Sequence, residues 1–153
     1  MSLDSGAILS QLASHCLTTG HFARVATHDP KNPPAGGLTA ALWVDRIVPD
    51  PRNSGLASTS VVVAFILRVY QTLVTEPADD IDPTVTRAID AVANTVTGYF
   101  TLGGRVRGVH LWGAAGIPME VRAGYVEHDG GAMSRVMDLT IPVKVNDVWT
   151  QVP

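Results

Sequence analysis

Lysine and cysteine are nearly absent from this chain. Its 153 residues include only Lys31 and Lys144 as lysines, and 11 Lys and Arg face 14 Asp and Glu, a formal net charge of −3. There is no basic stripe of the kind that neutralises phosphates, which argues against direct nucleic-acid binding. Cys16 is the single cysteine, so neither an internal disulfide nor a multi-cysteine zinc site can form, and a reducing compartment suits its synthesis. Cys16 itself reads as a small buried hydrophobe. A basic segment followed by a long apolar one is missing at the N-terminus, so no secretory signal is expected. The longest apolar run, residues 61–67, falls far short of the roughly 20 residues a membrane-spanning helix needs. A soluble product of the cytoplasm is the expectation.

What is present suits one folded domain over 1–153. Hydrophobic residues make up 46% and charged residues 16%, too apolar and too weakly charged for disorder, and the length suffices for a core without metal or disulfides. A first helix is expected over 2–19, with Ser2 as N-cap, Ile8, Leu9, Leu12, Ala13, Cys16 and Leu17 along one side, and Gly20 as terminator. A short strand over 22–27 precedes a Pro/Gly loop ending at Gly37.

Residues 38–48 and 61–74 read as strands. In the second, Val61, Val63, Phe65, Leu67 and Val69 share one parity and Val62, Ala64, Ile66 and Tyr70 the other, so both faces require cover. Helices supply one cover; an extra segment or a neighbouring subunit supplies the other. The polar connection 49–60 reads as an exposed tip or arm. Asp82 and Pro83 open the clearest helix, expected to run to about Phe100 with Val85, Ile89, Val92, Val96, Tyr99 and Phe100 as its apolar stripe.

Strands at 105–112, 119–126 and 135–145 follow, the last two as a hairpin with one wet side each, Asp138, Thr140, Pro142 and Lys144 forming that of the final strand. Pro142 cannot donate a ladder hydrogen bond, so its strand is expected at an edge or bent there, with backbone groups open to another chain. The order gives an α+β domain: a mainly antiparallel sheet with two helices packed on one side.

Catalytic signals are missing. His15, His21, His28, His110 and His128 form no H-x-x-x-H pair and no HExxH signature, and the adjacency of His15 and Cys16 says nothing of a catalytic pair. Asp79, Asp80 and Asp82 lack an EF-hand loop and read as helix capping. The Gly113 to Gly116 stretch leads into a strand, not a helix, and reads as a turn. Ser54, Ser58 and Ser60 have no G-x-S-x-G elbow, and Arg105 with Arg107 is a small basic patch. Trp43 reads as core; Trp112 and Trp149 fit core or interface. No catalytic, cofactor-binding or metal-binding residue is assigned.

GGLTAALWVDRIVP, SGLASTSVVVAFILRVYQTL, the IDP helix start and GYVEHDGGAMSRVMDLTIPVKVNDVW together resemble the tail terminator proteins of long-tailed actinobacterial phages, over most of the chain. The resemblance implies a virion protein that closes into a ring, typically a homohexamer, on the end of the tail tube. It would stop tube growth and offer a surface for head joining. Its partners would be itself, the major tail tube protein and a head-tail connector protein, with no membrane and no sequence-specific nucleic acid. Candidate contacts are Arg52, Asn53, Ser54, Gly55 and Leu56 in the arm, and Ile141, Pro142, Val143 and Lys144 at the expected edge. Two alternatives stand: another neck or head-completion connector, and a small hotdog-type α+β enzyme in which Asp82, Asp90 or Glu76 is the nearest candidate carboxylate.

Overall fold

The computed structural model describes residues 2–31, 36–98, 101–113 and 115–152. Its first helix, α1, spans Ser5–Thr18, because Asp4, not Ser2, takes the cap: its carboxylate accepts from the Ala7 N–H at 3.0 Å. A charged acceptor at the positive helix end stabilises it twice over, through the hydrogen bond and the dipole. Ile8, Leu12, Ala13 and Cys16 are buried, whereas Leu17 lies half exposed on the far side. Gly20, at φ +75°, lets the chain leave the helix in a left-handed turn.

The second helix, α2, spans Ile81–Gly98 and is entered through a 3-10 turn at Ala78–Asp80. Asp82 stands in its first turn, with its carboxylate on the Arg135 guanidinium at 2.9 Å. Val85, Ala88, Ile89, Val92 and Val96 form the buried stripe. The expected continuation to Tyr99 and Phe100 lies outside the described residues.

Among the described residues six strands make one sheet: β1 (Arg24–Ala26), β2 (Thr39–Pro49), β3 (Ser58–Thr72), β4 (Gly108–Val109), β5 (Val121–Glu127) and β6 (Met133–Thr150). Its order is β1-β2-β3-β6-β4, with β5 also on β6. Among the described residues only β1 and β2 pair in parallel; the other pairs are antiparallel. Of the strand expected over 105–112, only Gly108 and Val109 join the ladder. Strand β6 runs five residues past the expected end, because β3 begins early enough to pair Ser58 with Thr150.

The two parities of β3 resolve into two covered faces. Val61, Val63, Phe65, Leu67 and Val69 join Ala40, Leu42, Met137, Leu139, Ile141 and Val143 in one core with α1 and α2. Both helices therefore lie on one side of the sheet. On the other side Val62 and Ala64 pack against Ile117, and Ala41, Tyr70 and Val136 form a further cluster with Trp43. A segment of this chain supplies the second cover.

That segment has a simple origin. Arg107 N–H and His110 N–H donate to the carbonyls of Lys144 and Pro142, and Thr140 N–H donates to the Glu120 carbonyl. Strands β4 and β5 are thus two halves of one partner strand along β6, interrupted by an excursion closed by Met119 N–H on the Leu111 carbonyl at 3.1 Å. The excursion folds Ile117 over the second face.

The expectation of an edge strand at Pro142 is corrected by this pairing. β6 is gripped by β3 on one side and by β4 and β5 on the other, and Ile141 and Val143 are fully buried. Proline is accommodated because its nitrogen points the same way as its carbonyl, toward His110, where the chain is leaving the sheet. Lys144, expected on a wet face, is 2% exposed.

Replacing fully buried Leu67 by Ala should cost about 2 to 5 kcal/mol through lost burial and a residual cavity. Urea unfolding monitored by circular dichroism measures the loss directly.

Candidate functional site

The connection between β2 and β3 is an ordered tip. Asp50 pairs with Ser60 at its base, the Asp50 N–H donating to the Ser60 carbonyl at 2.8 Å. The Asp50 carboxylate accepts from the Arg52 N–H at 3.1 Å and the Asn53 amide at 2.8 Å. Its backbone carbonyl accepts from the Asn53 N–H and from Ser54 Oγ, and Gly55 N–H closes on the Ser58 carbonyl at 2.9 Å. Arg52, Asn53, Gly55 and Leu56 are exposed on this frame, with Leu56 at 94%. Beside them Gln151 N–H donates to the Ala57 carbonyl, bringing exposed Val152 and half-exposed Trp149 to the same end of the molecule.

Asp50 is fully buried, and Lys144 Nζ meets its carboxylate at 2.8 Å. Burial works against the Asp50 anion, yet the Lys144, Asn53 and Arg52 donors together outweigh it and hold the carboxyl below its ordinary range. His110 is pushed the other way from easy protonation, first by burial and then by the nearby Lys144 charge. This pair was not visible in sequence. Lys144 sits on a strand parity where polar residues usually meet water, yet it is buried against Asp50 of the distant β2–β3 turn.

Between the covers of the second face lies a groove of about 570 Å³ lined by Trp43, Arg46, Arg68, Glu120, Arg122 and Asp138, among others. Arg68 forms a bidentate pair with Asp138, both contacts 2.7 Å, and its guanidinium lies 5.3 Å from the Trp43 ring centre. At the rim, Arg122 meets Glu120 at 2.9 Å and Arg46 lies 3.8 Å from Asp45. Each arginine has an acid beside it, so the groove has no strong field of one sign. Trp43, expected in the core, is half-buried as the wall under Arg68; Trp112, at 94% exposure, stands out on the excursion.

The sheet has two open margins among the described residues. Beyond the short β1, the 42–49 side of β2 has no neighbour, and β5 has none on its outer side. Because the Glu120 carbonyl faces β6, the alternate residues Val121, Ala123 and Tyr125 turn their backbone groups outward. Val121 and Tyr125 are also 47% and 60% exposed, and the strand is wet on nearly all of both faces. The 141–144 stretch offers no such margin.

The candidate carboxylates of an enzyme reading do not converge. Asp82 is taken by Arg135, Asp90 accepts from Asn94, and Glu76 is exposed near the 3-10 turn. Among the described residues no three His, Cys, Asp or Glu side chains stand close enough to hold a metal ion. Burial pushes the Cys16 thiol up to about 12, leaving it protonated and inert. His128 Nε2 lies 3.0 Å from Ser134 Oγ, and both side chains are buried. No described helix is long and apolar enough to cross a membrane.

No protein-family model matches the chain and no curated protein matches it. Among solved structures, a chain from the virion of a native gene transfer agent particle is similar in fold. The match covers 93% of this chain and 96% of that one, with a TM-score of 0.58 and 16% sequence identity.

Lys144→Met should cost about 3 to 5 kcal/mol, since it strands the Asp50 charge in the interior. The pH dependence has a defined sign. A carboxyl held low in the fold stabilises above its unfolded pKa, and that contribution is lost as pH falls through the folded value. His110 contributes nothing while neutral, but because the fold disfavours its cation it becomes a penalty as pH falls below the ordinary imidazole range, in the same direction. Acid titration of the thermal midpoint should therefore show wild type losing stability below the ordinary carboxylate range, and Asp50→Asn losing less.

Proposed function

We propose that this chain is a structural subunit of a tailed-phage-type particle, and within it the tail terminator: a ring on the end of the tail tube that ends polymerisation and receives the head. The observation that carries the reading is the end-to-end correspondence in fold with a chain of a gene transfer agent virion. The sequence resemblance to tail terminators over most of the chain supports the finer role.

The surfaces fit a subunit that works by contact. Two unlike sheet margins on opposite sides invite head-to-tail association, which closes into a ring when the rotation per subunit permits. Exposed backbone on β5 suits strand addition by a neighbour. The tip bearing Leu56 is the natural contact for the tube or an adjoining subunit. A specific and stable contact buries on the order of 1,200 to 2,000 Å² in total. The partners on this reading are further copies of the chain, the tube protein and a head-side connector.

Electron microscopy of lysates from a particle-producing strain with this reading frame deleted tests the role. Overlong headless tubes are expected. Normal-length tails separated from filled heads would move the protein to a connector, and intact infectious particles would end the virion reading. Ala123→Pro tests the margin. It removes an outward-facing donor while leaving the β6 ladder intact, so the monomer should keep its circular dichroism spectrum and lose ring formation on tubes.

A further inference from the structure

We infer that the buried Asp50–Lys144 pair is a positioning device that fixes the β2–β3 tip in one geometry before any partner arrives. The tip has no apolar anchor of its own. Leu56, its one large hydrophobic side chain, points to solvent at 94% exposure, so burial cannot hold the loop. Its outer contacts are backbone and hydroxyl bonds of Ser54 with Ser60, Gly55 with Ser58 and Gln151 with Ala57, and its first turn is gathered on Asp50, whose carboxylate and carbonyl receive Arg52, Asn53 and Ser54. Asp50 in turn is oriented by Lys144 from a strand gripped on both sides, by β3 at Val62 and by β4 at Gly108.

A surface connection needs no such arrangement. Buried ion pairs are frequently no more stabilising than apolar residues of the same volume, and in some systems what such a pair supplies is a fixed geometry. Here the dictated geometry is that of a loop presenting Arg52 and Leu56. A preformed tip avoids the ordering cost that a floppy one incurs at the moment of contact. The device itself is independent of the virion reading; its consequence for assembly rests on that reading.

The test uses the full chain and the double variant Asp50→Asn/Lys144→Met, which removes both charges while keeping volume and the amide acceptor. Cleavage by trypsin at the Arg52–Asn53 bond reports tip opening, and cleavage after exposed Arg87 on α2 reports loosening of the whole fold. Loss of charge-assisted hydrogen bonds should speed cleavage at Arg52 roughly 10- to 100-fold, with the Arg87 rate and the thermal midpoint held near wild type. Unchanged cleavage at Arg52 would overturn the inference, because the turn would then be self-sufficient. Equal acceleration at Arg87, or failure of the double variant to fold, would overturn it also, because the pair would be a general stabiliser. In particles, a labile tip with normal tails would leave the device standing and remove its role in assembly.

Discussion

The central strand β3 is apolar on both parities, and the rest of the molecule is arranged around that constraint. Burying apolar surface is worth about 25 cal/mol per Å², so each face of β3 left wet would carry a penalty comparable to the whole stability of a small domain. The odd parity is covered by α1 and α2, whose stripes match it. The even parity cannot be covered by helices, since both lie on the first face. It is covered only toward its ends, by Ile117 over Val62 and Ala64 at one and by Ala26, Val126 and His128 around Tyr70 at the other, with Ile66 left in the groove between them. The interruption between β4 and β5 is thus what lets the chain cover one end of its own second face.

Two ion pairs mark where those covers meet polar chemistry, and they act differently. Arg68 and Asp138 sit in the uncovered middle, still partly in water, where a bidentate pair over Trp43 gives a flat polar floor at small desolvation cost. Lys144 and Asp50 are almost wholly shut off from solvent. Removing one partner alone leaves the other charge buried without its counter-ion, whereas removing both together does not. The sheet therefore carries one ion pair still half in water and one shut away from it.

Much of the fold was legible because it depends on local periodicity. The α+β class, both helices, the stripe from Val85 to Val96 and the parities of β3 follow from spacing alone. The misreadings share a cause, which is that strand position depends on distant partners. Pro142 signals an edge by its own chemistry, yet the missing donor falls where the neighbouring strand departs, a fact set by residues 107–120. Lys144 signals solvent, yet Asp50 meets it in the interior from a turn far back along the chain. At α1, Ser2 and Asp4 are both good caps, and the choice went to the residue whose charge also meets the helix dipole. Of the surface residues, the tip from Arg52 to Leu56 was legible as an exposed polar connection, while its internal order was not, because Asp50 looks like any turn aspartate until its partner is known.

The two margins of the sheet differ in a way that bears on how copies of the chain would meet. The β2 margin is blunted: the register slips by one residue at Asp45, and Pro49 lies at its end. Bulges and prolines are the usual means of discouraging strand addition. The β5 margin is not blunted in this way. It is a regular run opposite Met133 to Leu139, free of proline, with outward-facing backbone on Val121, Ala123 and Tyr125. Of the two margins, β5 is the one whose free backbone groups can take an added strand, while the bulge and the proline of β2 discourage it.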